Sequence, residues 1–297
     1  MTPPSAGVFT LYVTPPRLRQ FYPIRSTDMP YVTVNGCEYF VKDTEEGPET
    51  IVFGHGYLMT HRLFDAQVDA LSDSYRCIAF DWRGQGMTQI TTGGYDVRDL
   101  ARDVASLLDA MDVDRCHYVG LSMGGFVGFR LLAHYGDRLH SAVLLDSDAG
   151  AESMLRWLKY QAMLTMVEHF GYDSVIDRVI PLMFGETFRR EQPEAVEMWT
   201  ERITAQDPRG IVPAGRGIFS RESALPLLGK ARTPTLLMVG GEDVTTPPEK
   251  TAAAHDALPN SKMLIVPQAG HSSAVEQPEA VTHAIRRFLA EDISVPS

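Results

Sequence analysis

The chain has 297 residues, 44% of them hydrophobic, enough apolar mass to bury a large core as one domain with an insertion or as two domains. Its 27 Lys and Arg face 38 Asp and Glu, and the net charge of −11 repels phosphate backbones and anionic bilayers, which argues against nucleic-acid and membrane partners. Cys37, Cys77 and Cys116 are odd in number and scattered, two of them in apolar runs, so they read as reduced core residues. No Cys and His spacing suggests a metal site, and no apolar run approaches the ~20 residues that span a bilayer. Residues 1–29 lack a basic, apolar and small-residue leader pattern, so the expectation is a cytoplasmic protein without metal or cofactor.

In chain order, 1–30 is rich in Pro, Thr and Arg without a period and reads as a surface or partly disordered arm. Runs at 31–34 and 37–42 flank Asn35-Gly36, a strong two-residue hairpin signal. A buried strand at 50–54 ends in His55-Gly56-Tyr57, helical spacing follows at 63–71, and 75–80 makes the next strand before Asp81-Trp82-Arg83-Gly84-Gln85-Gly86. The apolar stripe Val97, Leu100, Ala101, Val104, Leu107, Leu108 and Met111 predicts a helix over 96–111. Strand at 116–121, helix at 126–134 and strand at 141–146 continue the alternation. Continuous apolar strands alternating with helices imply a parallel sheet covered on both faces, an α/β fold.

From 150 to 223 the alternation stops and the composition turns to Met, Trp, Phe, Glu and Arg at helical periods, which predicts a helical insertion. Strands resume at 234–240 and 262–266, each followed by a helix, at 247–258 and 278–290. The expected domains are therefore an arm at 1–30, a core at 31–149 with 224–297, and the insertion at 150–223. Its stripe of Met154, Leu155, Trp157, Leu158, Met163, Leu164, Met166 and Phe170 is too apolar for a solvated helix. Most of it is expected to pack on the core. Part of it, with Trp157 and Met163 named as substrate-binding residues, is expected to line an adaptable apolar pocket.

The chemistry centres on Gly120-Leu121-Ser122-Met123-Gly124, a G-x-S-x-G stretch between a strand and a helix. Small residues two places either side of Ser122 suit a turn so sharp that it lifts Oγ clear of the sheet. A serine hydroxyl needs a base, and the base an acid, both expected at the carboxyl ends of later strands. Of nine histidines, His271 in Gln268-Ala269-Gly270-His271 follows the last strand and is the base candidate. For the acid, Asp243 in Gly240-Gly241-Glu242-Asp243 is preferred over Asp146 and Asp148, which also follow a strand; Glu242 is expected to be exposed. The backbone N–H groups of Tyr57 and Met123 are the expected oxyanion donors.

In combination these residues resemble the α/β-hydrolase superfamily. His55-Gly56, Asp81-x-Arg83-Gly84-x-Gly86, Gly120-x-Ser122-x-Gly124-Gly125, Gly240-x-x-Asp243 and Gly270-His271 stand in family order over about 31–290. The resemblance implies an α/β-hydrolase fold: an eight-stranded, mostly parallel sheet flanked by helices, with an antiparallel start and a helical cap insertion. It looks most like esterases, enol-lactonases and cofactor-free haloperoxidases; a serine at the elbow speaks against dehalogenases and epoxide hydrolases, whose nucleophile is aspartate. The extended arm before Tyr31 departs from the pattern and leaves oligomerisation or pocket closure by that arm open. The expected function is hydrolysis of carboxylic esters through an acyl-enzyme on a small-molecule substrate. Lactonase, C–C bond hydrolase and perhydrolase chemistry are the alternatives on the same triad, and a non-catalytic binding protein is the alternative from another class.

Overall fold

The computed structural model describes residues 9–10 and 31–292. The strands are β1 (Phe9–Thr10), β2 (Tyr31–Val34), β3 (Cys37–Asp43), β4 (Thr50–Gly54), β5 (Arg76–Phe80), β6 (Cys116–Leu121), β7 (Leu139–Leu145), β8 (Thr235–Gly240) and β9 (Ser261–Val266). They form one sheet in the order β1-β9-β8-β7-β6-β4-β5-β3-β2. The β2–β3 and β3–β5 pairs are antiparallel and the others parallel. The eight strands expected are present, and β1 adds a two-residue edge opposite Leu264 and Ile265. The rest of the expected 1–30 arm lies outside the described residues.

Local chemistry accounts for the elements. Asn35 and Gly36 take φ of 47° and 71°, as a two-residue hairpin turn demands. Asp96 caps α2 (Val97–Ala110) by accepting from the Arg98 N–H at 2.8 Å. Residues of β4, β6 and β8 are buried throughout, the mark of strands covered on both faces. Ile51, Phe53, Val119, Leu121, Val143 and Leu145 face a core shared with α1 (Asp65–Leu71) and α12 (Pro278–Asp292). Val52, Tyr118, Ala142 and Leu144 face the other core, with α2 and α3 (Met123–His134). The last of these helices starts three residues earlier than its sequence suggested, directly after Ser122, because the turn is that tight.

Strand order positions the site. From β4 the chain steps to β5 on one side, then returns past β4 to β6, β7, β8 and β9 on the other. Such a reversal opens a crevice at the carboxyl ends of the strands on either side of it, here β4 and β6.

Between β7 and β8 the chain is helical among the described residues: α4 (Met154–Phe170), α5 (Ile176–Met183), α6 (Glu186–Glu191), α7 (Pro193–Thr204), α8 (Pro208–Phe219) and α9 (Leu225–Leu228). The expectation that most of the α4 stripe packs inward is corrected. Met154, Leu155, Leu158 and Phe170 are 73%, 79%, 53% and 75% exposed, while Leu164 is buried and Met163 and Met166 pack partly on the core. The helix leans inward along Tyr160, Leu164 and Val167, with Met163 and Met166 beside them, so apolar residues on the opposite side stay outside.

Candidate active site

Three loops at the carboxyl ends of β6, β8 and β9 bring Ser122, Asp243 and His271 together, all of them buried. Between β6 and α3, Ser122 takes φ 51° and ψ −109°, a region strained for any residue but glycine. Its neighbours explain the tolerance. A Cβ on Gly124 would stand 1.9 Å from the Gly54 carbonyl oxygen, and one on Gly120 would stand 2.5 Å from that of Gly124. The strand, turn and helix can close only because both positions are glycine.

His271 Nε2 lies 2.8 Å from Ser122 Oγ, and its Nδ1 lies 2.8 Å from Asp243 Oδ2. A carboxylate only accepts, so Nδ1 carries the proton and Nε2 is left to accept from the serine hydroxyl. Asp243 is itself held. Its Oδ1 accepts from the Thr245 and Thr246 N–H groups at 2.8 and 2.9 Å, and its Oδ2 accepts from Thr246 Oγ1 at 2.7 Å. Burial works against the Asp243 anion, but the charge and hydrogen bond of His271 and the Thr246 bonds outweigh it and hold the pKa below the ordinary value. For His271, burial opposes the imidazolium, while Asp243 and then Asp146 favour it, and the pKa is raised above the ordinary 6.5.

The competing acids are engaged elsewhere. Asp146 ends β7 fully buried, its Oδ1 accepting from Gly240 N–H and its Oδ2 from the Ser273 N–H and hydroxyl. Burial, followed by the charge of Asp243, pushes its pKa well up. Asp148 pairs with Lys250 and Arg221. Glu242, expected to be exposed, is half-buried and accepts from the N–H and hydroxyl of Thr187 at the start of α6.

Of the two expected oxyanion donors, Met123 directly follows Ser122 and Tyr57 lines the same cavity as the serine. The Met123 N–H opens α3, where no carbonyl four residues back belongs to the helix. The Tyr57 loop passes close by, since a Cβ on Gly56 would stand 3.6 Å from Ser122 Cβ. Gln85 links both segments, accepting from the Leu58 N–H at 3.1 Å and donating to Met123 Sδ at 3.4 Å. Sequence reasoning missed Gln85 and Thr246; only the position of Gln85 in a glycine-rich strand-end turn hinted at a role. His55 is a strut, its Nε2 accepting from the Trp82 N–H at 3.0 Å, and burial lowers its pKa to about 4.

An apolar cavity opens on Ser122 and His271. Met163, Leu164, Val167, Val175, Val179 and Ile211 are among its walls, with Phe126 and Phe219. Met163 is where the sequence placed it. Trp157 is corrected: it does not line the cavity but donates its indole N–H to Ser220 Oγ at 3.2 Å, past the end of α8. The hydroxyl beyond Phe219 thus takes the indole donor away from the cavity. Such an assembly can pass a serine proton to an imidazole while a carboxylate steadies the charge.

A family model described as the alpha/beta hydrolase fold matches residues 49–278, and the chain belongs to that family. It is a hydrolase. It is similar to a solved thermophilic esterase from Thermogutta terrifontis, 30% identical with a TM-score of 0.82 over 89% of this chain and 97% of that one. The enol-lactonase from Burkholderia xenovorans LB400 is 25% identical, with a TM-score of 0.82 over 88% of this chain and all of the other. Among curated proteins, 3-oxoadipate enol-lactonase 2 of Acinetobacter baylyi is 24% identical over 80% of this chain and 88% of its own length. No helix among the described residues is long and apolar enough to cross a membrane.

Proposed function

We propose that this hydrolase cleaves carboxylic esters through an acyl-enzyme on Ser122, with aromatic or medium-chain apolar acyl groups. The observation that carries the reading is the unbroken Asp243, His271 and Ser122 chain opening on an apolar cavity. In this scheme His271 Nε2 takes the Ser122 proton as Oγ attacks the ester carbonyl, and Asp243 fixes the imidazole tautomer and stabilises the imidazolium. The Tyr57 and Met123 N–H groups receive the oxyanion. As the intermediate collapses, the imidazolium returns its proton to the departing alcohol, leaving the acyl group on Oγ. Water, deprotonated by the same nitrogen, then releases the acid and restores the serine.

Residues 150–223 act in this reading as a cap over a core of 31–149 and 224–297, its helices roofing the acyl pocket. A lactone is an internal ester and would open by the same steps, and the enol-lactonase relatives favour that second reading. Among the described residues the cavity walls include no Lys or Arg, and the one carboxylate among them, Glu152, is paired with Arg156 and Arg221. An anionic acyl group would find no counter-charge there, so neutral esters and lactones fit better than the lactone of a dicarboxylic acid. A cytoplasmic setting suits three buried, unpaired thiols.

The test is a panel of p-nitrophenyl esters and lactones of graded size with purified protein. Medium-chain and aromatic acyl esters should exceed acetate in kcat/KM, and Ser122→Ala should lose about 10⁴- to 10⁶-fold in kcat while its Tm holds. Wild-type turnover by Ser122→Ala would sink the mechanism.

A further inference from the structure

Beyond the triad, two more carboxylates converge on one short stretch of the cap. Glu276, in α11 (Ser273–Glu276), accepts three backbone N–H groups: Gly270 at 2.8 Å, Gly185 at 2.9 Å and Ser272 at 3.0 Å. Two of these donors flank His271; the third belongs to the cap, one residue before α6. Glu242, next to Asp243, takes the N–H and hydroxyl of Thr187 two residues further on. Ser272 Oγ also donates to the Met183 carbonyl at 2.8 Å, and Thr245 Oγ1 to that of Leu182 at 2.7 Å. The fit leaves no slack, since a Cβ on Gly270 would stand 2.2 Å from the Gly185 nitrogen. Residues 182–187 are thus sewn to the loop of the acid and the loop of the base, and to both at once.

We infer that Glu276, assisted by Glu242, is a positioning residue that locks cap segment 182–187 to the His271 loop, so that seating the cap and placing the base are one event. This rests on the reading of His271 as the base. A glutamate that merely filled space would not need three amide donors from two parts of the chain; burying an anion is tolerated here because each donor satisfies it. Burial pushes the Glu276 carboxyl up to about 7 against the pull of those donors and of His271. The anion in turn favours the imidazolium, together with Asp243 and Asp146. Glu242 stands across Gly185 from Glu276: a Cβ on that glycine would lie 2.7 Å from Glu242 Oε2 and 3.0 Å from Glu276 Oε2.

Glu276→Gln is the direct test. A glutamine has one acceptor oxygen for three donors, so at least one amide loses its partner to an NH2 group. Amide hydrogen exchange should quicken at Gly185 in the cap as well as at Gly270 and Ser272. The kcat for small and large esters should fall together by about 10- to 100-fold, the cost of a displaced base. With the anion gone the imidazolium is less favoured, so the acid limb of kcat/KM should move to lower pH, which simple loosening would not produce. Thr187→Val, a milder change on the cap side, should quicken exchange in 268–273 without touching that loop. Faster exchange confined to the mutated side in both variants, or an unmoved acid limb in Glu276→Gln, would overturn the lock. If the wild-type protein hydrolyses no ester, the functional reading fails, and the exchange measurement still decides this one.

Discussion

Asp243 and Asp146 are both buried carboxylates at strand ends, yet only one touches His271, and the difference is a matter of which hydrogen bonds each already makes. Asp243→Asn should cost on the order of 10⁴-fold in kcat, because an amide cannot fix the tautomer or stabilise the imidazolium. Asp146→Asn should keep at least about a tenth of wild-type kcat and lose stability, since its oxygens tie β8 to α11 rather than reach the base. A reversed order in steady-state kinetics would move the acid one strand earlier. The pH profile tests the same arrangement. His271 must be neutral to accept the serine proton, and its pKa is raised above 6.5, so kcat/KM should climb with pH through a midpoint above 6.5. A midpoint at or below that value would contradict the pairing with Asp243. The three residues that hydrogen-bond in series, Ser122, His271 and Asp243, were legible in the sequence because each stands at a strand end in a glycine-bearing turn. Gln85, Thr246 and Glu276 were not, since nothing in a lone Gln, Thr or Glu says which amide it will meet.

At the scale of elements, the strands and core helices announced themselves through unbroken apolar runs and a 3.6-residue stripe, and their ends shifted by only a few residues. Helix α4 was harder. It is apolar on most of its faces, so periodicity could not tell which side turns inward. Its contact with α8 decided, leaving Met163 on the cavity wall and Trp157 off it. Met163→Ala should therefore reorder kcat/KM among acyl chain lengths, favouring bulkier groups by about tenfold or more, because a methylene-sized gap is worth about 1–3 kcal/mol. Trp157→Ala should leave that order as it was. An ester panel in which the tryptophan variant, and not the methionine variant, changes the ranking would show that α4 seats differently over the pocket.

For the whole molecule, the sheet divides two apolar cores, and its interior holds all three thiols, fully buried on β3, β5 and β6. Burial pushes Cys37 to about 11 and Cys77 and Cys116 to about 12, so the reactive thiolate is scarce as well as hidden. In native buffer Ellman's reagent should label none of them faster than the protein unfolds globally, and all three in denaturant. Labelling of even one thiol ahead of global unfolding, followed by absorbance, would reveal local opening of the sheet. By itself the sequence determined the alternation of strands and helices, the elbow at Ser122, the loops of Asp243 and His271, and the family, because these rest on local patterns: runs, periods and glycines beside a reactive residue. Only the tertiary structure decided which of Asp243 and Asp146 hydrogen-bonds His271, which face of α4 meets the pocket, and the convergence of Glu242 and Glu276 on 182–187. Those depend on distances between residues up to 127 positions apart, as Asp146 and Ser273 are, which chain crossings set and no short window contains.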